Sequence, residues 1–247
     1  MRKKKTLRLA ALGLCLALLW LCAAPGLAAK NKFQKGSVRL ERGPRMYYWV
    51  HAPEGEDSQG LPLVVYLHGS GERGEYGLRA GLPSLVNSGL DFPAVLLVPQ
   101  LPAKGSWMSM EKQVTAIMEK VAQEYGTDPE RVTLAGFSLG AAFGWDFMNL
   151  HPGLAGRFLS LCGRLEHFGE VAPEAFAQTW VKTYVGTRDT NVNPKTSTEF
   201  TQRLAELGYR ADLNVLEATH PQVLRRSFKD EALIRWLSWQ DAAEESY

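Results

Sequence analysis

The sequence has few cysteines. There are three in 247 residues, and two of them, Cys15 and Cys22, lie in an apolar N-terminal segment. If that segment is removed, Cys162 alone remains and the chain can form no internal disulfide. This excludes the small disulfide-stabilised toxins and inhibitors. Internal repeats are also absent, which excludes the repeat architectures.

The sequence also lacks an excess of charge of one sign. It has 28 Lys and Arg and 26 Asp and Glu, for a net charge of +2, and five of the positive residues fall within the first eight positions, so the remainder carries −3. The basic runs typical of nucleic-acid-binding domains are missing, and we expect no nucleic-acid partner. No group of His, Cys or acidic residues has the spacing of metal ligands, so we expect no metal and no cofactor.

The N-terminus has the three parts of a secretory signal peptide. The basic residues are followed by an apolar run, Leu9–Ala24, and then by small residues up to Ala29. The apolar run has 16 residues, fewer than the roughly 20 needed to span a membrane. We predict that residues 1–28 are removed and that residues 29–247 form one exported domain with no stable membrane association. A retained N-terminal anchor is the alternative.

Short β-rich runs alternate with longer amphipathic runs after residue 36. Helices are predicted over 111–124, over 193–208 and from about Gln222 to Trp239. This alternation predicts an α/β fold: a mostly parallel twisted sheet of about eight strands with helices on both faces. The first two strands are separated by too few residues for a crossover, so we expect an antiparallel hairpin at one edge. The predicted strands are Ser37–Leu40, Met46–His51, Leu63–Leu67, Ala94–Val98, Val132–Ala135, Phe158–Leu161, Trp180–Val185 and Ala211–Leu216.

A short motif at the junction of a predicted strand and helix indicates a nucleophilic serine. Residues Gly136–Gly140 have the form G-x-S-x-G and follow the strand that begins at Val132. A serine on such a sharp turn has a strained backbone, and only small residues fit two positions before and after it. We therefore predict that Ser138 is a nucleophile.

A serine hydroxyl reacts only when a base takes its proton and an acid orients that base. In α/β folds that carry such a serine on a strand-to-helix turn, the order is Ser, then Asp or Glu, then His, each following a strand. Asp189 follows the predicted strand Trp180–Val185, and His220 follows the strand that ends at Leu216. We predict a triad of Ser138, Asp189 and His220. An ordinary surface Asp and an ordinary loop His are the alternative.

A glycine-rich loop, His68–Gly74, directly follows the third predicted strand. Backbone N–H groups in such a loop can face the negative charge that develops on an acyl oxygen. We predict that the oxyanion donors are the N–H of Ser70 and the N–H of Leu139, the residue after the nucleophile. The glycines on either side of Ser70 are alternative donors, and a tight turn that merely requires glycine is the other explanation.

Residues about 36–240 resemble an α/β-hydrolase. The closest likeness is to the exported esterases related to polyhydroxybutyrate depolymerases, feruloyl and acetylxylan esterases, and the "predicted peptidases" of that branch. The resemblance implies the α/β-hydrolase fold and a serine hydrolase in which Ser138 is the nucleophile, His220 the base and Asp189 the orienting acid. The matching segments are Leu67–Gly74, Val98–Gln100 with Trp107 downstream, Asp128–Val132, the serine motif and Gly186–Val192.

Three further residues have expected roles. Trp107 follows the fourth predicted strand, and we expect it either to line the substrate pocket or to pack in the core. His68 is expected to support the glycine-rich loop. Cys162 ends an apolar run, and we expect a buried thiol that behaves as a small hydrophobe.

The substrate class is argued from the size of one connection. Only 16 residues, 164–179, separate the sixth and seventh predicted strands, where lidded relatives insert a cap domain. We expect no large lid and an open site, which argues against a long-chain lipase, and export argues against coenzyme A thioesters. We therefore expect hydrolysis, through an acyl-enzyme, of carboxylic esters of short acyl or hydroxycinnamoyl groups, either small molecules or esters linked to a polysaccharide. A serine peptidase or amidase of the same fold and a non-catalytic binding protein are the alternatives.

Overall fold

The computed structural model describes residues 32–53, 59–74, 77–165 and 170–241. The predicted signal peptide, residues 1–28, lies outside these ranges, so its removal stays a prediction. Within the described ranges no helix combines the length and the apolar character that crossing a membrane requires.

The described residues form one eight-stranded sheet with the order β1-β2-β4-β3-β5-β6-β7-β8. Strand β2 pairs antiparallel with β1 and with β4, and every other neighbouring pair is parallel. The predicted edge hairpin and the predicted α/β fold class are therefore confirmed. The strands are β1 (Gln34–Val38), β2 (Met46–His51), β3 (Leu63–Leu67), β4 (Val95–Gln100), β5 (Val132–Phe137), β6 (Arg157–Leu161), β7 (Trp180–Gly186) and β8 (Ala211–Leu216).

Six α-helices in the described part of the chain cover the two faces of this sheet. One buried cluster contains the apolar residues of α2, α3 and α4, and a second contains those of α1, α5 and α6. Strands β3 to β6 lie between the two clusters and are buried along their whole length, which explains why they consist almost entirely of apolar residues. The helices are α1 (Gly81–Asn87), α2 (Glu111–Tyr125), α3 (Leu139–Leu150), α4 (Lys195–Glu206), α5 (His220–Ser227) and α6 (Glu231–Leu237).

The structure corrects two helix predictions. The single helix expected from Gln222 to Trp239 is two helices, because the Asp230 side chain accepts a hydrogen bond from the Ala232 N–H (2.9 Å) and starts α6 anew. Helix α4 begins at Lys195, later than the predicted 193–208. There the Asn193 side chain accepts the Lys195 N–H (3.0 Å), so it forms a local turn before the helix.

The reversal of strand order between β3 and β5 positions the site. From β3 the chain continues to β4 on one side, and from β5 it continues to β6 on the other. Open α/β sheets bind ligands in the crevice beyond the carboxyl ends of the strands at such a reversal. Ser70 follows β3 and Ser138 follows β5, so both predicted site segments lie at this crevice.

Candidate active site

Ser138 occupies the sharp turn between β5 and α3. Its backbone has φ 54° and ψ −116°, a conformation that a non-glycine residue rarely adopts. The Ser138 N–H donates to the Leu161 carbonyl (2.8 Å), which ties the turn to β6. A Cβ at Gly136 would lie 2.6 Å from the Ala141 backbone, and one at Gly140 would collide with the carbonyl oxygen of Leu67. The two glycines of the motif therefore let α3 approach the sheet while Ser138 is held in a strained conformation.

Asp189 and His220 form a hydrogen-bonded pair at the ends of β7 and β8. His220 Nδ1 lies 2.6 Å from Asp189 Oδ2, and the side chains are 10% and 2% exposed. Asp189 Oδ1 also accepts the N–H groups of Asn191 (2.9 Å) and Val192 (3.0 Å). Burial alone would raise the pKa of Asp189, but the hydrogen bonds from His220, Val192 and Asn191 outweigh it and lower this pKa. The carboxylate is therefore ionised at neutral pH and holds the Nδ1–H of His220.

Local structure fixes the position of the His220 ring. Thr219 and Gln222 form a capping box at the start of α5, in which the Thr219 N–H donates to Gln222 Oε1 (2.9 Å). The ring of Phe137, the residue before Ser138, packs against the imidazole with a centroid separation of 4.9 Å. His220 is thus located both by its own helix and by the turn that carries Ser138.

The two predicted oxyanion residues lie on the same cleft as Ser138. Ser70 is the first residue of a 3-10 turn, Ser70–Glu72, and Leu139 is the first residue of α3. The N–H groups of such first residues have no acceptor within their own helix. Ser70, Ser138 and Leu139 line a cleft of about 190 Å³. The structure therefore brings the three predicted residues together, and their roles stay predictions.

His68 supports the glycine-rich loop through hydrogen bonds with the backbone, as expected. Its Nδ1–H donates to the Gly69 carbonyl (2.8 Å), while Nε2 accepts the Leu101 N–H (3.1 Å) and faces the Gln100 amide nitrogen (3.2 Å). The side chain is buried, and burial lowers the pKa of His68 to about 4. The ring is therefore neutral at physiological pH, and a second proton at Nε2 would point at two N–H donors.

Acidification is expected to destabilise the protein through His68. The pKa is lower in the folded chain than the ordinary 6.5, so the unfolded chain takes up the proton first and stability falls as the pH drops from 6.5 toward 4. A difference of this size corresponds to about 3 kcal/mol of unfolding free energy. Urea unfolding at a series of pH values measures it. A His68→Gln variant has a hydrogen-bond donor and an acceptor but no titratable group, so its unfolding free energy should change less with pH. An equal pH dependence in the two proteins would show that His68 is not the group responsible.

Trp107 lies in the core, away from the cleft wall. It is 2% exposed, and its Nε1–H donates to the His68 carbonyl (3.3 Å). Its ring packs on His68 and stacks on Phe143, with centroid separations of 5.0 and 5.9 Å. Of the two roles considered for Trp107, the structure supports packing beneath the loop and leaves almost no surface for contact with a substrate.

Two residues near the site were not predicted to belong to it. Arg164 is exposed and lines the cleft beside Asn191 and Val192. Cys162 is buried, as expected, but it lies beside Asp189 and His220, and burial together with the Asp189 carboxylate raises the pKa of its thiol. Both residues follow β6. The strand-end rule places them at this edge of the sheet, but it does not report that Cys162 contacts Asp189.

A strained serine turn after β5, with a mostly parallel eight-stranded sheet around it, is the arrangement of the α/β-hydrolase fold. The chain belongs to the phospholipase/carboxylesterase family, whose model matches residues 104–233. That range contains Ser138, Asp189 and His220 but not the glycine-rich loop after β3. No curated protein matches the sequence.

Solved structures of esterases have the same fold. A thermostable esterase is 21% identical with a TM-score of 0.68, over 85% of this chain and 63% of that one. A mutant of the feruloyl esterase module from Clostridium thermocellum, complexed with sinapinate, is 14% identical with a TM-score of 0.66, over 83% and 88% of the two chains. A fungal esterase from Rhizomucor miehei is 13% identical with a TM-score of 0.64, over 86% and 85%. At these identities the likeness concerns the fold.

Proposed function

We propose that this protein is a secreted serine esterase that cleaves carboxylic esters of short acyl or hydroxycinnamoyl groups. The observation that carries the proposal is the 2.6 Å pair of His220 and Asp189, whose imidazole packs on Phe137, the residue before a serine in a strained turn. An imidazole whose Nδ1–H is held by an ionised carboxylate can act as a base through Nε2. Membership of a carboxylesterase family and the fold shared with feruloyl esterases support the choice of substrate bond.

The proposed reaction has two halves. In the first, Ser138 Oγ attacks the acyl carbon while His220 Nε2 takes the hydroxyl proton, and the oxyanion is stabilised by the N–H groups of Ser70 and Leu139. The imidazolium then protonates the leaving alcohol, which leaves an acyl group on Ser138. In the second half, His220 removes a proton from water, the hydroxide attacks the acyl carbon, and Ser138 regains its proton as the acid departs.

Substrate length is expected to have an early optimum. Each buried acyl CH₂ contributes about 0.8 kcal/mol, or about fourfold in kcat/KM, while the cleft can still enclose it. A cleft of about 190 Å³ without a large lid encloses only a few carbons. With p-nitrophenyl esters from acetate to palmitate, kcat/KM should peak between acetate and about hexanoate, and rates should show no jump when the substrate forms micelles.

The same experiment distinguishes the alternatives. Methyl ferulate and acetylated xylan should be accepted, because an open cleft admits a bulky alcohol or acyl group, and Ser138→Ala supplies the background rate. A maximum at laurate or longer with interfacial activation would indicate a lipase. Faster turnover of matched amides than of esters would indicate a peptidase or amidase, and turnover no faster than the Ser138→Ala background would indicate a binding protein.

Export is the part of the proposal that depends on the sequence alone. The basic start, the 16-residue apolar run and the small residues before Ala29 support cleavage near that position. Mass spectrometry of the secreted protein should therefore give an N-terminus at Ala29 or Lys30. An intact Met1 on membrane-bound protein would indicate a retained anchor instead.

A further inference from the structure

The thiol of Cys162 lies against the Asp189–His220 pair. One ligand atom from each of these three residues, the sulfur, a carboxylate oxygen and a ring nitrogen, lies within 4.8 Å of the other two. The residues follow β6, β7 and β8, which are neighbours in the sheet but distant in sequence. Sequence spacing therefore gives no sign of this cluster.

The fold holds the thiol at this place. Cys162 has a φ of 52°, its N–H donates to the Tyr184 carbonyl (2.9 Å), and its sulfur lies 3.9 Å from the His220 carbonyl oxygen. The side chain is buried. Ester hydrolysis by a Ser-His-Asp triad makes no use of a thiol, so the proposed function leaves this group unexplained.

Thiolate, imidazole and carboxylate together are the donors that bind Zn²⁺ and its softer relative Cd²⁺. Metal–ligand distances of about 2.0–2.3 Å place the ligand atoms of a tetrahedral zinc site roughly 3–4 Å apart. Nδ1 and Oδ2 are now 2.6 Å apart, and no pair in the cluster exceeds 4.8 Å. The cluster therefore differs from the spacing of a tetrahedral zinc site by about 1 Å or less. A water molecule would complete the coordination.

We propose that Cys162, Asp189 and His220 form a binding site for a thiophilic divalent cation, and that occupancy of this site switches the hydrolase off. The inhibitory half rests on the proposed function. The cation replaces the Cys162 thiol proton, which is released to solvent. The proton on His220 Nδ1 moves to Nε2, and the cation binds the lone pair that this leaves on Nδ1. The site is electrically neutral, with one metal dication and two anionic ligands. The nitrogen that must accept the Ser138 proton already carries one.

Cadmium inhibition of the full-length chain tests the proposal. After treatment with a chelator, hydrolysis of p-nitrophenyl butyrate is measured against Cd²⁺ concentration and expressed relative to each variant's own metal-free rate. Cys162→Ser should need at least about 100-fold more Cd²⁺ for half-inhibition, since loss of even an outer-shell partner costs 10–100-fold in metal affinity. His151→Gln removes the other described His–carboxylate pair, His151 with Glu111, and should behave like the unmodified chain. Equal inhibition of the unmodified chain and Cys162→Ser would overturn the proposal.

Binding is measured independently of activity in the Ser138→Ala background. Cd²⁺ should produce the ultraviolet charge-transfer absorption of a cadmium–thiolate bond and release one proton per site. The same measurement is made on a protein that also carries Cys162→Ser, and its absorption and proton release are subtracted. Cys15 and Cys22 are present in both proteins, so the difference reports Cys162 alone. Absorption without inhibition of the unmodified chain would overturn the switch. Absorption in the Ser138→Ala background, combined with no esterase activity in the unmodified chain, would mean that the proposed function fails while the metal site stands. Absence of the absorption would overturn the site itself.

Discussion

Replacing Ser138 by alanine is expected to reduce kcat by on the order of 10⁴–10⁶-fold, because the members of a triad act as a unit and the chemistry has no other nucleophile. The folded state should survive, since alanine fits the turn as well as serine does and the Ser138 side chain is only half-buried. Initial rates with p-nitrophenyl butyrate measure the loss. Covalent labelling by a fluorophosphonate probe, which reports the activated hydroxyl directly, should disappear.

A matched serine supplies the control for this experiment. Ser88 is exposed and follows the end of α1, at a distance in sequence from every segment of the site. Ser88→Ala should keep both activity and labelling. Fluorophosphonate labelling that persists in Ser138→Ala would show that another residue is the nucleophile.

The second large effect is expected for the pair of His220 and Asp189. Removal of the base in His220→Ala should cost on the order of 10⁴–10⁶ in kcat. Asp189→Asn should cost somewhat less, about 10⁴-fold, because the imidazole remains and only its tautomer and orientation are lost. The double variant should be no slower than His220→Ala alone, since an orienting acid has no effect without the ring that it orients.

Asp212→Asn is the matched control for the acid. Asp212 lies within β8, where it accepts hydrogen bonds from Trp180 Nε1 and Lys182 Nζ, both at 2.9 Å. Its substitution removes the same charge without touching the Asp189–His220 pair, and kcat should change little. If Asp212→Asn lowered kcat as much as Asp189→Asn, the choice of orienting acid would be wrong.

The limits of a strand can be predicted from the sequence where turn residues end an apolar run. Strands β2, β3 and β8 have the predicted limits for this reason. Strand β1, expected at Ser37–Leu40, is Gln34–Val38, because its position is decided by pairing with β2, in which Gln34 lies opposite Val50. The break between α5 and α6 was missed because both helices pack on the same face of the sheet, so the apolar period continues across it.

The residues of the candidate site can be predicted from the sequence where they directly follow a strand. The positions of Ser138, Asp189 and His220 follow from the rule that functional groups of a parallel sheet lie beyond the carboxyl ends of its strands. The burial of Trp107 and the position of the Cys162 thiol beside Asp189 depend on packing between distant segments. A single sequence has no periodicity or spacing that reports such contacts.

Strand β8 is the last in the sheet order and pairs with β7 only. Its residues are mostly half-buried, Val215 is 55% exposed, and His220 follows it while Asp189 follows β7. A strand that is paired on one side only is expected to open at lower free energy than the buried central strands. A brief separation of the last two strands would part His220 from Asp189 while the central strands remain intact. If the proposed triad is correct, we therefore expect heating to abolish turnover at a lower temperature than the one at which most of the circular dichroism signal of the sheet is lost.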